Sequence, residues 1–406
     1  MHVPFAGVHR LIFSLCIAST CAIGSSAQTE TIIHSFTGLS DGGLPESGLV
    51  SDGKGNFFGT THYGGANFGG VVYELSPNSN GGWTEQVLYN FDLQGTISAA
   101  NPSGALAIDA MGNIFGVVAS GGGLNFGAVF EISPSSNGTW TANLLHVFGA
   151  ALNDGAFPSG EGVVLDAAGN LYGTTNSGGA YGYGTVYQLV AGTNGTWTEK
   201  ILYSFHGGSD GGMFAGSTPV LDTAGNLYGV ATLYGAKDYG AIYELSPSSG
   251  GNWTSKVLYS FPGGAGGAYP TGSLLLDSSG NLYGATNCTV YELVRGSSGT
   301  WTEKTLHTLA GGKDGATSLA GLIFDKAGNL YGTTRDGGSH RGTVFELSPG
   351  SNGVWTEKIL HRFASNGTDG YNPEFANLAL DASGNVFGTT YVGGTSITGV
   401  IFEIQP

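Results

Sequence analysis

The chain has 406 residues, of which 40% are hydrophobic and only 10% charged, and its 29 acidic against 13 basic side chains leave a net charge of −16. That surplus repels a phosphate backbone and excludes nucleic acid as a partner. The 74 glycines and 13 prolines stay below the share typical of disordered chains, and 11% aromatic residues suit short strands joined by glycine-bearing turns better than helices.

Residues 1–27 stand apart. Arg10 precedes an apolar run over residues 11–24, and Ser25-Ser26-Ala27 offers small side chains for a signal peptidase. The pattern predicts a cleaved secretory signal over 1–27 and a secreted mature chain over 28–406, extracellular or periplasmic. The run is short for a bilayer, so no membrane span is expected in the mature chain. Cys16 and Cys21 leave with the signal. Cys288 remains alone, which rules out an intramolecular disulfide and leaves stability to packing.

From Thr29 onward one phrase recurs. A Gly-Asn pair stands at Asn56, Asn113, Asn170, Asn226, Asn281, Asn329 and Asn385, with spacings of 57, 57, 56, 55, 48 and 56. Periods of this size mean a propeller or a solenoid, and a solenoid would need capping ends that the chain does not show. Each unit holds four apolar runs of strand length, as in GVVLD, NLYGTT, GTVYQLV and WTEKILYSF of the third copy. Before each Gly-Asn stands an aspartate: Asp52, Asp109, Asp166, Asp222, Asp277, Asp325 or Asp381. Seven equal copies mark a turn former rather than a catalyst.

All six tryptophans open a fourth run, whereas the seventh unit stops after its third, at GVIFEIQP. The missing run is at the other end of the chain, where TETIIHSF from Thr29 matches TEKILYSF from Thr198. The expectation is an all-β, seven-bladed β-propeller of four-stranded antiparallel blades, closed by the N-terminal strand and monomeric. Closure removes two strand edges that would otherwise invite aggregation.

The combined phrase D-x-x-G-N-L-Y-G-T-T, G-T-V-Y-E-L-S-P and W-T-E-K-x-L-Y-S-F resembles the Gloeo/Verruco (GloVer) tandem repeat over Thr29 to Glu403, and the start of each unit resembles NHL-type blades. The resemblance implies an exported bacterial protein and names no activity. Members often carry a C-terminal anchor; a chain ending at Pro406 directly after a strand favours a free product.

Candidate chemistry is sparse. His34, His146, His307 and His361 share one position of the fourth run with Tyr89, Tyr203 and Tyr259, an interchange that marks a packing position. His62, His206 and His340 do not repeat and show no metal-ligand spacing. Two G-x-S-x-G matches, around Ser40 and Ser209, lack the helix that a nucleophile elbow requires.

The fourth-to-first and second-to-third connections share one face of the ring. There lie Asp41, Asp154, Asp210, Asp314 and Asp369, each followed by glycine, with Tyr63, Phe68, Phe126, Tyr181, Tyr183, Tyr234, Tyr239 and Tyr391, and the irregular pair His340-Arg341. Aromatic rings rimmed by acids suit a glycan, and Asp154, Asp210, Asp314 and Asp369 could hold calcium. Against this, Asp-Gly is ordinary turn punctuation and the rings can pack between blades. The expected function is a non-catalytic binder of a polysaccharide or cell-surface partner; the alternative is a lyase or hydrolase acting on a glycan or peptide.

Overall fold

A computed structural model describes residues 29–158, 162–212, 217–338, 340–373 and 377–406. The expected signal over 1–27 lies outside the described residues. Among those described, no helix is long and apolar enough to cross a membrane.

Seven four-stranded antiparallel sheets follow one another along the chain. Blade 3 is representative: Val164–Leu165 is the first strand, Leu171–Thr175 the second, Thr185–Ala191 the third and Trp197–Ser204 the outer one. The other outer strands are Trp83–Asn90, Trp140–Val147, Trp253–Ser260, Trp301–Thr308 and Trp355–Arg362 in blades 1, 2, 4, 5 and 6. Blade 7 has Ala379–Leu380, Val386–Thr390 and Val400–Gln405 from the C-terminal end and takes Thr29–Ser35 as its outer strand. The closing strand runs antiparallel in register from Thr29 opposite Gln405 to Ser35 opposite Val400. The ring is therefore shut by the two ends of the chain, as the repeat arithmetic predicts.

The turn between first and second strands is fixed by its aspartate. Asp166 Oδ1 accepts from the N–H groups of Ala168 and Asn170 at 2.9 and 2.8 Å, and the Asn170 amide donates to Asp166 Oδ2 at 2.8 Å. The same three bonds recur at Asp52, Asp109, Asp222, Asp277, Asp325 and Asp381. These seven are turn formers. The second-strand glycine has a separate cause: a Cβ on Gly173 would overlap the ring of its register partner Tyr187, and Gly116, Gly332 and Gly388 face Phe130, Phe345 and Phe402 in the same way. Each glycine thus gives a third-strand aromatic ring room to lie flat across the sheet.

The core lies between blades rather than within one. Seven clusters of buried apolar side chains each draw on two neighbouring blades; one joins Phe115, Val117 and Val129 of blade 2 to Leu171, Tyr187 and Leu189 of blade 3. At closure, Phe57 of blade 1 meets Phe387 of blade 7 with ring centroids 4.7 Å apart. Burial of this kind supplies the main stabilising term, and no disulfide joins the described residues. Cys288 is a free thiol beside the shortened hairpin of blade 5, with Sγ 3.5 Å from the Gly264 carbonyl.

Candidate functional site

The inner strands leave a cavity of about 340 Å³ on the axis, lined mainly by apolar residues of blades 2 to 5 such as Leu106, Val164, Val220 and Leu274, with Thr218 and Ser273 as polar exceptions. Asn377 crosses the closure beside it: its Oδ1 accepts from Gly321 N–H at 2.7 Å, and its carbonyl accepts from Leu49 N–H at 3.3 Å. Such a lining offers contact area but little acid–base chemistry.

Polar groups gather instead on the loop face. The Asp-Gly loops begin where an outer strand ends, and each aspartate folds back on its own loop. Asp154 Oδ2 accepts from Ala150 N–H at 3.1 Å, and Asp41, Asp210, Asp314 and Asp369 accept equivalent bonds from Thr37, His206, Ala310 and Ala364. The four aspartates of the expected calcium site stand on four different blades, and no candidate metal-holding group among the described residues contains two of them.

Three of these aspartates join a larger set. The outer-strand histidines do pack as their interchange with tyrosine predicts: His146, for example, stands edge-on to Phe148 with centroids 4.8 Å apart. The sequence gives no hint of where their Nε2 atoms point. His146 Nε2 lies 3.3 Å from Asp154 Oδ1 and 3.5 Å from Glu199 Oε1, the glutamate coming from the outer strand of the next blade. His307 stands 3.4 Å from Asp314 and 3.5 Å from Glu357, and His361 stands 3.3 Å from Asp369, with Glu30 of the closing strand completing the group.

In the W-T-E phrase the tryptophan and glutamate alternate with exposed residues, which turns both toward the seam. Burial pushes Glu357 up to about 8, with Asp314 adding to the shift. Burial likewise takes Glu199 up to about 7, against the pull of His146. Asp154 stays below the ordinary carboxylate range because His146 and the loop N–H groups outweigh its own burial.

Six of the predicted aromatic residues pair with a second Tyr or Phe ring. Tyr63 faces Phe68 at 5.8 Å, Tyr183 faces Tyr234 at 5.5 Å, and Phe126 and Tyr239 meet Phe157 and Tyr269 of the following loops at 5.4 and 6.1 Å. Tyr63, Phe68, Phe126, Tyr181 and Tyr239 nonetheless keep exposed faces. His340 is exposed at φ 67°, and the Arg341 guanidinium lies 4.5 Å over the ring of Tyr371. His340 and Arg341 thus share one loop of blade 6, apart from the blade 3 tyrosines.

Two groupings escape a reading by motif. In blade 3, Tyr203 donates to Asp210 at 2.7 Å, His206 Nδ1 lies 2.9 Å from the same carboxylate, and Tyr181 stacks on His206 at 4.1 Å. In blade 1, His62 Nδ1 lies 2.9 Å from Glu46 Oε2. The signal for the second was a repeat column that changes in nearly every copy: His62, Ala119, Asn176, Thr232, Asn287, Arg335 and Tyr391 stand six residues after the asparagine of each Gly-Asn pair. Variation within an otherwise repeated frame marks positions free of the folding constraint.

The architecture resembles several solved structures. Virginiamycin B lyase from Staphylococcus aureus aligns over 93% of this chain and 99% of its own at 15% identity and a TM-score of 0.56. The extracellular domain of a protein assigned to a hybrid two-component system of B. thetaiotaomicron aligns over 94% of this chain and 42% of its own, at 17% identity and 0.57. A protein from Lactobacillus plantarum aligns over 82% and 95%, at 16% and 0.52. At such identities the likeness concerns the fold alone. No curated protein matches the sequence. The Gloeobacter/Verrucomicrobia repeat model matches residues 21–163 and 136–290, well over half of the chain. The repeated phrase, the seven blades it builds and this match place the protein in the Gloeobacter/Verrucomicrobia repeat family.

Proposed function

We propose that the protein is an exported, monomeric, non-catalytic propeller that binds a polysaccharide or another glycan-bearing cell-surface component through its loop face. The observation that carries this reading is the row of half-exposed aromatic rings on adjacent loops, Tyr63, Phe68, Phe126, Tyr181 and Tyr239. Held against neighbouring rings, tilted at Tyr63, Phe68 and Tyr181 and edge to face at Phe126 and Tyr239, such rings lose little freedom on binding and present flat apolar surfaces to sugar C–H groups. Carboxylates of the Asp-Gly loops on the same face, and the Arg341 guanidinium on the blade 6 loop, supply partners for hydroxyl groups. The export half of the proposal rests on the sequence of residues 1–27.

One observation favours a second reading, a hydrolase or lyase. Asp210 orients His206 through Nδ1, leaving Nε2 on a ring that is 51% exposed, an arrangement fit for proton transfer. Binding of residues 28–406 to a broad glycan array tests the first reading. Tyr181→Ala with Tyr63→Ala should weaken any binding by tenfold or more, and a protein that captures no glycan defeats the proposal. Turnover of the captured glycan, abolished by His206→Ala, would establish the second.

A further inference from the structure

The three seam groups, His146/Asp154/Glu199, His307/Asp314/Glu357 and His361/Asp369/Glu30, have the same make-up. In each, a histidine comes from an outer strand, an aspartate from the loop that follows, and a glutamate from the outer strand of the next blade. Their donor atoms lie within 4.8 Å of one another.

The spacing is informative. The His–Asp and His–Glu separations in these seams, 3.3 to 3.5 Å, exceed the roughly 2.7–2.9 Å of a charge-assisted N–H···O bond. They match the edge, roughly 3.4 Å, of a tetrahedron whose ligands stand about 2.0–2.1 Å from a central zinc ion. A histidine serving only as an ion-pair partner would close on one carboxylate.

Unpartnered buried atoms point the same way. Asp369 Oδ1 has no hydrogen-bond partner although its side chain is only 7% exposed, and Glu30 Oε1, Glu199 Oε1, Glu357 Oε1 and His307 Nε2 are likewise buried without one. Buried polar atoms left in this state are costly. A glutamate Oε1 of this kind also occurs at Glu85 in the fourth seam, so the atoms specific to the three groups are Asp369 Oδ1 and His307 Nε2.

The repeats add a comparison internal to the chain. Where the outer strand carries histidine, at His34, His146, His307 and His361, an aspartate always follows and the next blade always supplies a glutamate, at Glu85, Glu199, Glu357 and Glu30. Where it carries tyrosine, at Tyr89, Tyr203 and Tyr259, the next blade offers Ala142, Ser255 or Glu303. Tyr89, Tyr203 and Tyr259 pack edge-on to Phe91, Phe205 and Phe261 as the histidines pack to theirs, so packing alone leaves the matched change across the seam unexplained.

We propose that these three seams bind a divalent cation of the zinc class, with neutral His Nε2, an aspartate oxygen and a glutamate oxygen as protein ligands and water completing the set. Calcium is disfavoured because it takes six to eight oxygen donors. Each ion would rivet two blades, and the one at Glu30 would fasten the closing strand to blade 6. At the fourth histidine, His34 lies 3.2 Å from Asp41, which already accepts from Thr37 N–H and the Thr37 hydroxyl, and no three-donor group forms there. The proposal is independent of the ligand taken by the loop face.

The test uses residues 28–406, stripped with EDTA and dialysed against micromolar zinc, with bound metal measured by mass spectrometry and Tm by scanning calorimetry. The parent should bind three zinc ions per chain, one for each group, and gain several degrees in Tm, since a ligand that binds only the folded state stabilises it. His146→Tyr with His307→Tyr and His361→Tyr installs the residue that blades 1, 3 and 4 already carry. This variant should match the metal-free parent in Tm, bind no zinc and show no shift. Asp154→Asn with Asp314→Asn and Asp369→Asn preserves the turns and gives a second check should the tyrosine variant fold poorly. A parent that binds no zinc, variants that bind as much as the parent, or calcium giving the same stoichiometry and shift would each overturn the assignment.

Discussion

Gly173 and Tyr187 are register partners in the second and third strands of blade 3, and the tyrosine ring lies where a side chain on the glycine would be. The pair explains why the middle residue of LYGTT is a glycine in all seven copies. Gly173→Ala should overpack a site whose ring is fully buried, at a cost of about 1–3 kcal/mol and several degrees in Tm. An unchanged melting curve would show that the ring moves aside freely.

Ring closure makes a stronger demand. Removing residues 28–37 takes away the strand paired with Val400–Gln405 and leaves an unpaired edge. The truncated protein should aggregate or lose ten degrees or more in Tm, read by light scattering and calorimetry. A monomer with the parent's Tm would mean that the ring does not need its clasp.

Asn377 provides a more local test of the same seam. Asn377→Ala keeps the carbonyl that accepts from Leu49 but removes the acceptor for Gly321 N–H, which should cost about 1–3 kcal/mol of unfolding free energy in denaturant. Asn377→Asp keeps an acceptor oxygen and should recover most of the loss.

The turn aspartates set the response to acid. Although burial works the other way, hydrogen bonds from Asn170, Asn226 and Asn329 hold Asp166, Asp222 and Asp325 below the ordinary carboxylate range. A carboxyl group whose pKa is lower in the folded state contributes stability above its unfolded value and loses it as pH falls through the folded one. Tm should therefore drop steeply below about pH 4, near the unfolded aspartate value. Replacing Asp166, Asp222 and Asp325 together by Asn should flatten that limb; a limb of the same steepness would assign acid sensitivity to other groups.

Much of the architecture is local information repeated. The aspartate that closes a hairpin acts within five residues and the Gly–aromatic pair within one sheet, so a single copy read closely yields a blade and seven copies yield the ring. The closing strand was legible for the same reason, because its residues match a phrase written six more times. Deciding between a packing histidine and a ligand was beyond such reading.

His146 and Glu199 belong to different units, and Glu30 and His361 approach from opposite ends of the chain, so their meeting is a product of blade stacking and closure. The direction of His Nε2, the burial that raises Glu357 and the carboxyl oxygens without partners exist only once two blades share a seam. Strand periodicity and turn chemistry are properties of neighbours in sequence, and determined the fold; the donor sets are properties of neighbours across a seam, which only the packed ring brings within reach of one ion.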